Sequence, residues 1–371
     1  MSRTNSSSTR VRVIEGAEAR AFTRQQRWEL LSPYLTRNGR GCLAYSTLQD
    51  GLDYFIVDGQ GYIASKTVGR IRPTTFVLGD PICDDSQLRH LLDEFLRIYA
   101  DPFFAQISRQ TADELVERGF FANQCGIETW IDLRGWSLAG DDKQLLRTAL
   151  NKVRKQAIEI SEFSFEQANQ NELSLVSEEW LVSKTKPDGE TTFLARPAVY
   201  ADEPNVRRFW ARDGERVLGF VVFNPLFEEQ KVYGYLADIS RVRKSAPKGL
   251  LYAIQCMAMD WFKAEGLTAL SLGLSPLFQI EDADGINSLL TTFLLTALFR
   301  FGQQFYGFRG IAENKREFRG EGRHVYIATR HKYPVVQLYR CFRVCNISPL
   351  RQIFRRRQKP QSELRTSAKA R

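Results

Sequence analysis

Residues 232–276 read VYGYLADISRVRKSAPKGLLYAIQCMAMDWFKAEGLTALSLGLSP, and this stretch decides the fold. Apolar residues alternate up to Asp238, which predicts a half-buried strand. Asp238, Arg241, Arg243 and Lys244 then arrive together, followed by Lys248 and Gly249. Leu250, Leu251, Ile254, Met257, Ala258, Trp261 and Phe262 recur at three-and-four spacing, so a helix with one buried face opens at Gly249 and ends at Gly266. A second strand, ALSLG, runs into the small-residue turn Gly273-Leu274-Ser275-Pro276. A strand that delivers one acid and several bases to a helix N-terminus is suited to an anionic group, because free backbone N–H groups and the helix dipole favour negative charge there.

Working outward, the same order of elements is read twice. In the first half, a helix from Trp28 ends at Asn38-Gly39, and CLAYSTL, DYFIVD and GYIASKT are predicted as a meander of strands. TTFVL then runs into Gly79-Asp80-Pro81, a turn that doubles as a weak candidate phosphate cradle, as does Lys248-Gly249. Ser86 precedes an amphipathic helix with Leu88, Leu91, Leu92, Phe95, Leu96 and Tyr99 on its buried face, and FFAQI, TADELVERG and IETWIDL follow as strand, helix and strand. In the second half, Asp141 and Asp142 begin a basic helix on which Arg147, Asn151, Arg154 and Lys155 share much of one face, either a phosphate-contacting surface or a solvated one. A helix around Glu172–Lys184, the strands VRRFWA, RVLGFVVFN and KVYGYLAD, the central unit and a closing strand HVYIATR complete it. The expected fold class is α/β (α+β): an antiparallel set of strands, a helix and a parallel strand, used twice. The expected division is a basic disordered tail over 1–27, a first half over 28–140, a second half over 141–350 carrying the site, and a polybasic disordered tail over 351–371.

The 371 residues carry 52 Lys and Arg against 43 Asp and Glu, a net charge of +9. That charge sits at the ends: residues 351–371 hold eight Lys/Arg against Glu363, and residues 1–27 hold six Arg against Glu15 and Glu18. Such tails favour a phosphate-rich partner, nucleic acid or an anionic bilayer surface, or they are solvated tails that aid solubility. The six cysteines are dispersed without a zinc-ligand pattern, which predicts a reducing compartment and no metal site. MSRTNSSSTR has no apolar run of a secretory leader. The uncharged segment Gly285–Phe299 is shorter than the roughly 20 residues a spanning helix needs, and is read as a buried helix or the wall of a lipid-accessible groove. These features point to a cytoplasmic protein, peripheral at the inner face of the plasma membrane. Three histidines, no G-x-S-x-G elbow and no P-loop leave little room for a histidine-based nucleophilic site or nucleotide hydrolysis.

TFVLGDPICDD, LLRTALNKVRKQAI, LADISRVRKSAPKG, SLGLSPL and YGFRGIAENKREFRGEGRHVYIATR occur in this order over residues 28–350. In these motifs the chain resembles the soluble C-terminal domain of bacterial phosphatidylglycerol lysyl- and alanyltransferases. The resemblance implies two tandem GNAT-like acyltransferase units, aminoacyl-tRNA as donor, a lipid hydroxyl as acceptor and no cofactor. It also implies a site in the second half. The family's Asp-x-x-Arg element falls on Asp238 and Arg241, its small-residue turn on Gly273, Ser275 and Pro276, and its Phe-Lys-x-x-Phe element on Lys315 and Phe318, with Asn314 in place of the first Phe. A Glu-x-Arg…Tyr element falls on Glu321, Arg323 and Tyr326, one residue longer in spacing, with Gly320-Glu321 where a Trp-Glu pair is usual. The acid that usually follows the helix-opening glycine and an apolar residue is missing, since Gly249 leads into Leu250, Leu251 and Tyr252. No multi-span membrane module is read ahead of the domain.

In this reading Asp238 either accepts the nucleophile's proton or pairs with Arg241. Lys315 and Arg323 either bind phosphate or are loop charges, and Tyr326 either donates to the leaving group or packs. The expected function is acyl or aminoacyl transfer to a lipid or amine. The alternatives are a small-molecule N-acyltransferase that takes acyl-coenzyme A as donor, and a noncatalytic GNAT-like protein that binds membrane or nucleic acid.

Overall fold

The computed structural model describes residues 10–69, 72–166, 168, 170–183, 190–280 and 308–347. Segment 285–299 and tail 351–371 lie outside the described residues.

The first half opens with β1 (Val11–Ile14), α1 (Gly16–Ala21) and α2 (Arg24–Asn38). Residues 11–27, expected to be a disordered tail, are thus folded. β1 pairs antiparallel with β2 (Asp53–Val57), Arg12 pairs with Asp58 at 2.8 Å, and Thr23 forms a capping box with Gln26 at the start of α2. Only a short alternating run was needed, because a ready strand edge supplies the partner.

β3 (Gly61–Val68), β4 (Thr74–Leu78), β5 (Ile82–Cys83), α3 (Leu88–Ile98), β6 (Phe103–Ile107), α4 (Arg109–Glu117) and β7 (Phe121–Asp132) complete that half. The second half runs α5 (Gln144–Lys155), β8 (Glu159–Glu162), α6 (Gln170–Ser183), β9 (Arg207–Asp213), β10 (Arg216–Glu228), β11 (Lys231–Val242), α7 (Leu250–Ala264), β12 (Ala269–Pro276), α8 (Phe308–Arg316), β13 (Glu321–Thr329) and α9 (Val335–Val344). The class is mixed α/β, as expected, and each half has the same order: antiparallel strands, helix, parallel strand, helix, closing strand.

CLAYSTL is not a strand. Residues 42–47 are buried without alternation, and a 3-10 turn at Tyr45–Leu48 is closed by Ala44 N to Gly41 O at 3.0 Å and Thr47 Oγ1 to Ala44 O at 2.6 Å. A segment enclosed on all sides must satisfy its own backbone polar groups locally, and a tight turn does so.

Among the described residues the strands form a single sheet in the order β1-β2-β3-β4-β6-β13-β7-β12-β11-β10-β9-β8, with β5 beside β3. The closing strands are exchanged. β7, the last strand of the first half, pairs with β12 of the second, and β13 pairs with β6 of the first. The boundary near residue 140 therefore divides the chain but not the sheet. One face of the sheet carries a core shared by both halves, from Leu31 and Tyr62 to Phe220 and Ile239. The other face carries two separate cores: α3 and α4 cover Phe55, Val77 and Phe104, while α5 and α7 cover Val221, Phe223 and Tyr235.

Candidate active site

β11 and β12 pair in parallel only over Gly234↔Ala269, Tyr235↔Leu270 and Leu236↔Ser271, and then run on unpaired with each other to Val242 and Pro276. The two strands splay, and a cleft of about 980 Å³ opens in the gap. Its walls come from both faces of the sheet: Ile239, Arg241 and Cys341 on one side, Lys248, Gly249 and Tyr252 on the other. The cleft thus crosses the sheet at the splay.

Asp238 stands on one wall because of a β-bulge. Ile239 pairs with Val222 and Ala237 with Phe223, so Asp238 is the extra residue. In a regular strand, residues 238 and 241 would point to opposite faces. The bulge resets the alternation: Ala237 packs with the α7 core, whereas Ile239 joins the shared core on the opposite face. Asp238 turns to that face too, where Asn224 Nδ2 donates to Asp238 Oδ2 at 2.7 Å. Asn224 Oδ1 in turn accepts from Arg196 Nη2 at 3.0 Å, and Arg196 is held by Glu203 at 2.6 Å. Burial pushes the Asp238 carboxyl above the ordinary range, against the opposing pull of Arg196.

The expected Asp238–Arg241 pair does not form. Arg241 instead pairs with Glu190 and lies over the Trp180 ring, with Cζ 3.9 Å from the ring centre. Arg243 is likewise engaged, with Glu172 at 2.9 Å, Glu179 at 3.3 Å and the Val217 carbonyl at 2.7 Å, and so anchors α6. Two of the cations read as an anion site are thus committed to internal partners, and Lys248 remains at the cleft mouth.

Lys315 stands on the other wall. Its Nζ donates to the Leu274 carbonyl of β12 at 2.7 Å, and burial lowers its pKa from 10.5 to about 8, offset in part by Glu128 and Asp238. Gly273, at φ +73, leaves room for that amine: a Cβ there would lie 3.7 Å from Lys315 Nζ and 3.2 Å from Leu236 Cδ1. Behind Lys315 is a buried polar cluster that the sequence reading did not single out. Glu128 accepts from Gln106 Nε2 at 2.8 Å, from Cys42 Sγ at 3.1 Å and from Trp130 Nε1 at 3.1 Å, and Cys42 Sγ lies 3.0 Å from Ser271 Oγ. Burial and the neighbouring carboxylate push the Cys42 thiol up, so it acts as a donor and not as a thiolate. The available signal was Glu128, an acid set between Ile127 and Trp130 in the strand IETWIDL, a position where a charge must have partners.

One departure from the family pattern, Asn314, meets the first turn of α7 in space. The Tyr252 hydroxyl, in the first turn of α7, donates to Asn314 Oδ1 at 2.6 Å, and the Tyr252 ring packs edge-on to Phe318 at 5.8 Å. Gly249 opens α7 at φ +90 without a side-chain cap, and a Cβ there would meet Ala149 Cβ of α5 at 2.9 Å. Leu250 N donates to the Pro247 carbonyl at 3.1 Å, so the N–H groups of Leu251 and Tyr252 are the ones left at the start of α7 without a side-chain cap.

Other expected site residues lie elsewhere. Tyr326 faces the α3/α4 core beside Phe104 and Leu115, with Arg109 at 6.0 Å, and packs there because alternation along β13 gives the cleft to Ile327. Arg323 is outside the cleft, stacked 4.4 Å over Trp130 and 3.5 Å from Glu321. Ser275 is buried in the β12–β7 ladder opposite Ile127, while its neighbours Leu274 and Pro276 line the cleft. Gly79 turns at φ +67 against Leu43, and Asp80 accepts from Ser108 N at 2.8 Å and Ser108 Oγ at 3.0 Å, so the Gly-Asp-Pro turn locks the start of α4 and cradles no phosphate. On α5, Arg147 donates to the Leu138 carbonyl at 2.7 Å and to that of Gly140, closing its own connection, whereas Asn151, Arg154 and Lys155 are exposed away from the cleft. Among the described residues no cluster is placed to hold a metal ion, and no helix is long and apolar enough to cross a membrane.

Known proteins of similar sequence and fold fit this geometry. The phosphatidylglycerol lysyltransferase of Bacillus subtilis (strain 168) is 27% identical over 309 residues, which cover 81% of this chain and 35% of that protein. The corresponding protein of Staphylococcus aureus (strain MRSA252) is 25% identical over 254 residues, covering 65% and 29%. The chain spans about a third of the length of these curated relatives. The structure of L-PGS from Bacillus licheniformis shares the fold at a TM-score of 0.72 and 23% identity, over 85% of this chain and 96% of that one. The C-terminal domain of a putative lysylphosphatidylglycerol synthetase from Agrobacterium fabrum does so at 0.67 and 20%, over 83% and 93%. Residues 32–329, including Asp238 and Lys315, match the family described as phosphatidylglycerol lysyltransferase, C-terminal, and the chain belongs to that family.

Proposed function

We propose that this chain is an aminoacyltransferase that moves an aminoacyl group from aminoacyl-tRNA onto the hydroxyl of a phospholipid, at the inner surface of a membrane. The observation that carries the proposal is the placement of a half-buried carboxylate, Asp238, and a half-buried amine, Lys315, on two walls of one cleft. Paired groups with displaced pKa values are what acyl transfer near neutral pH needs.

The lipid hydroxyl attacks the aminoacyl ester carbonyl. A new C–O bond forms to the lipid oxygen, and the C–O bond to the tRNA ribose breaks. Asp238, with its carboxyl raised by burial, takes the hydroxyl proton. Lys315, an ammonium below about pH 8, donates to the developing oxyanion and returns a proton to the departing ribose oxygen. The Asn224–Arg196–Glu203 chain holds Asp238 in place, and the Glu128 cluster shapes the wall behind Lys315. The donor is an activated ester, so the chemistry calls for no cofactor. The mouth with Lys248 and the open start of α7 suits the polar donor, and the mouth lined by Leu338, Cys341 and Phe342 suits the lipid.

The test is a reconstituted reaction with charged tRNA, phosphatidylglycerol vesicles and mass spectrometry of the extracted lipids. An aminoacylated lipid that depends on Asp238 and Lys315 is the expected result. No such lipid with any aminoacyl-tRNA, together with turnover of acyl-coenzyme A, would replace this reading with small-molecule N-acylation.

A further inference from the structure

We propose that the outer face of α9, with the turn before it, docks on an anionic bilayer. Four large hydrophobic side chains are exposed within seven residues: Tyr333 at 53%, Val335 at 53%, Val336 at 59% and Tyr339 at 41%. At about 100° per residue, Val335, Tyr339, Arg343 and Val336 fall within a single arc of roughly a quarter turn. The opposite face buries Cys341, Val344 and Cys345. Arg340, between the faces, donates to the Arg72 carbonyl at 3.0 Å and to Thr74 Oγ1 at 2.8 Å, which fixes the helix against the body so that the apolar arc points outward.

Charge selects the partner. Lys332 and Arg343 are exposed at either end of this stretch of chain, and from Gly322 to Ser362 the sequence holds no Asp or Glu. Residues 351–371 add eight Lys/Arg against Glu363. A short amphipathic helix with valine and tyrosine outward and a basic rim matches the headgroup boundary of an anionic membrane. The two valines of the patch give nothing to a sugar-phosphate backbone. The geometry also gives the contact a purpose: Leu338, Cys341, Phe342 and Cys345 on the inner face of the same helix line the cleft. Docking would set one cleft mouth at the headgroups. That purpose rests on the proposed lipid acceptor, but the docking itself does not.

The experiment is co-sedimentation of the full chain with phosphatidylcholine vesicles, with and without phosphatidylglycerol, beside filter binding of uncharged tRNA. The double variant Val336→Glu, Tyr339→Glu is compared with wild type after circular dichroism confirms the fold, and Val336→Ser, Tyr339→Ser serves if the charged pair misfolds. The expected result is salt-sensitive binding of wild type to the phosphatidylglycerol vesicles, at least about tenfold weaker in the variant, with tRNA binding unchanged. Equal vesicle binding by both proteins, or no vesicle binding by wild type, overturns the proposal. Loss of tRNA binding with vesicle binding intact also overturns it and assigns the face to nucleic acid. Intact vesicle binding without lipid transfer would count against the proposed function and leave the docking surface standing.

Discussion

The two halves of this protein use the same order of elements, and only one of them opens. In the first, β4 ends where its pairing with β6 ends, at Leu78↔Ala105. Gly79 then turns over Leu43, Asp80 is spent on Ser108, and the turn leading into α3 is satisfied by Asp84, whose carboxylate accepts from Ser86 N at 3.0 Å. In the second, β11 outruns its pairing with β12, a bulge swings Asp238 to the shared-core face, and α7 starts at a glycine with no side chain to satisfy it. A fold repeated twice therefore yields a site where strand pairing stops before the strands do. A carboxylate placed at a helix entrance fills the position that an anionic substrate would otherwise take.

The sharpest test of this contrast pairs half-buried carboxylates from the two halves. Asp238→Asn is expected to lower transfer by about 10²–10⁴-fold with the fold intact, as is Lys315→Met. Asp80→Asn is expected to cost on the order of 1–3 kcal/mol of stability and leave turnover unchanged. Equal kinetic damage from both carboxylates would erase the distinction between the halves.

A second test uses pH. Lys315 has a folded-state pKa of about 8, below its ordinary 10.5, so the folded protein disfavours the charged amine. The penalty is fully present below about pH 8 and disappears as pH rises towards 10.5, at most on the order of 3 kcal/mol. Lys315→Met should therefore melt higher than wild type at neutral pH, and the gap should narrow in alkaline solution. Transfer by wild type should fall above about pH 8 as the ammonium is lost, and Lys315→Arg should move that limb upward. A flat melting difference across this range would show that the amine is not desolvated.

Smaller effects sharpen the same picture. Gly249→Ala places a Cβ against Ala149 at positive φ, and is expected to cost about 1–3 kcal/mol and to lower kcat/KM by disturbing the cleft mouth. Gly79→Ala should cost stability alone. Tyr326→Phe should leave turnover at the wild-type level, because the ring packs in the α3/α4 core and its hydroxyl meets Arg109 outside the cleft; a marked loss would return Tyr326 to the mechanism. The smallest effect belongs to Asp84→Ala, a slight fall in melting temperature with kinetics unchanged.

The family resemblance supplied Gly273 and Lys315; local pattern in the sequence determined the order of elements, the buried stripes of α3 and α7, the two-unit class and the cleft positions Asp238, Arg241, Lys248 and Gly249. These follow from periodicity, turn chemistry and motif order, which are properties of neighbouring residues. The same reading placed Tyr326, Ser275, Arg323 and Gly79-Asp80 in a site they do not line, and took CLAYSTL for a strand. Only the tertiary structure decided which closing strand sits beside which parallel strand, that Asp238 is the bulged residue, that Arg241 belongs to Glu190, and that Glu128 gathers Gln106, Cys42 and Trp130. A bulge exists only relative to a partner strand, and the donors around Glu128 come from positions 42, 106 and 130. Pairings over such separations are selected by the whole packed sheet, since the loop-closure cost of each is recovered only when the others have formed.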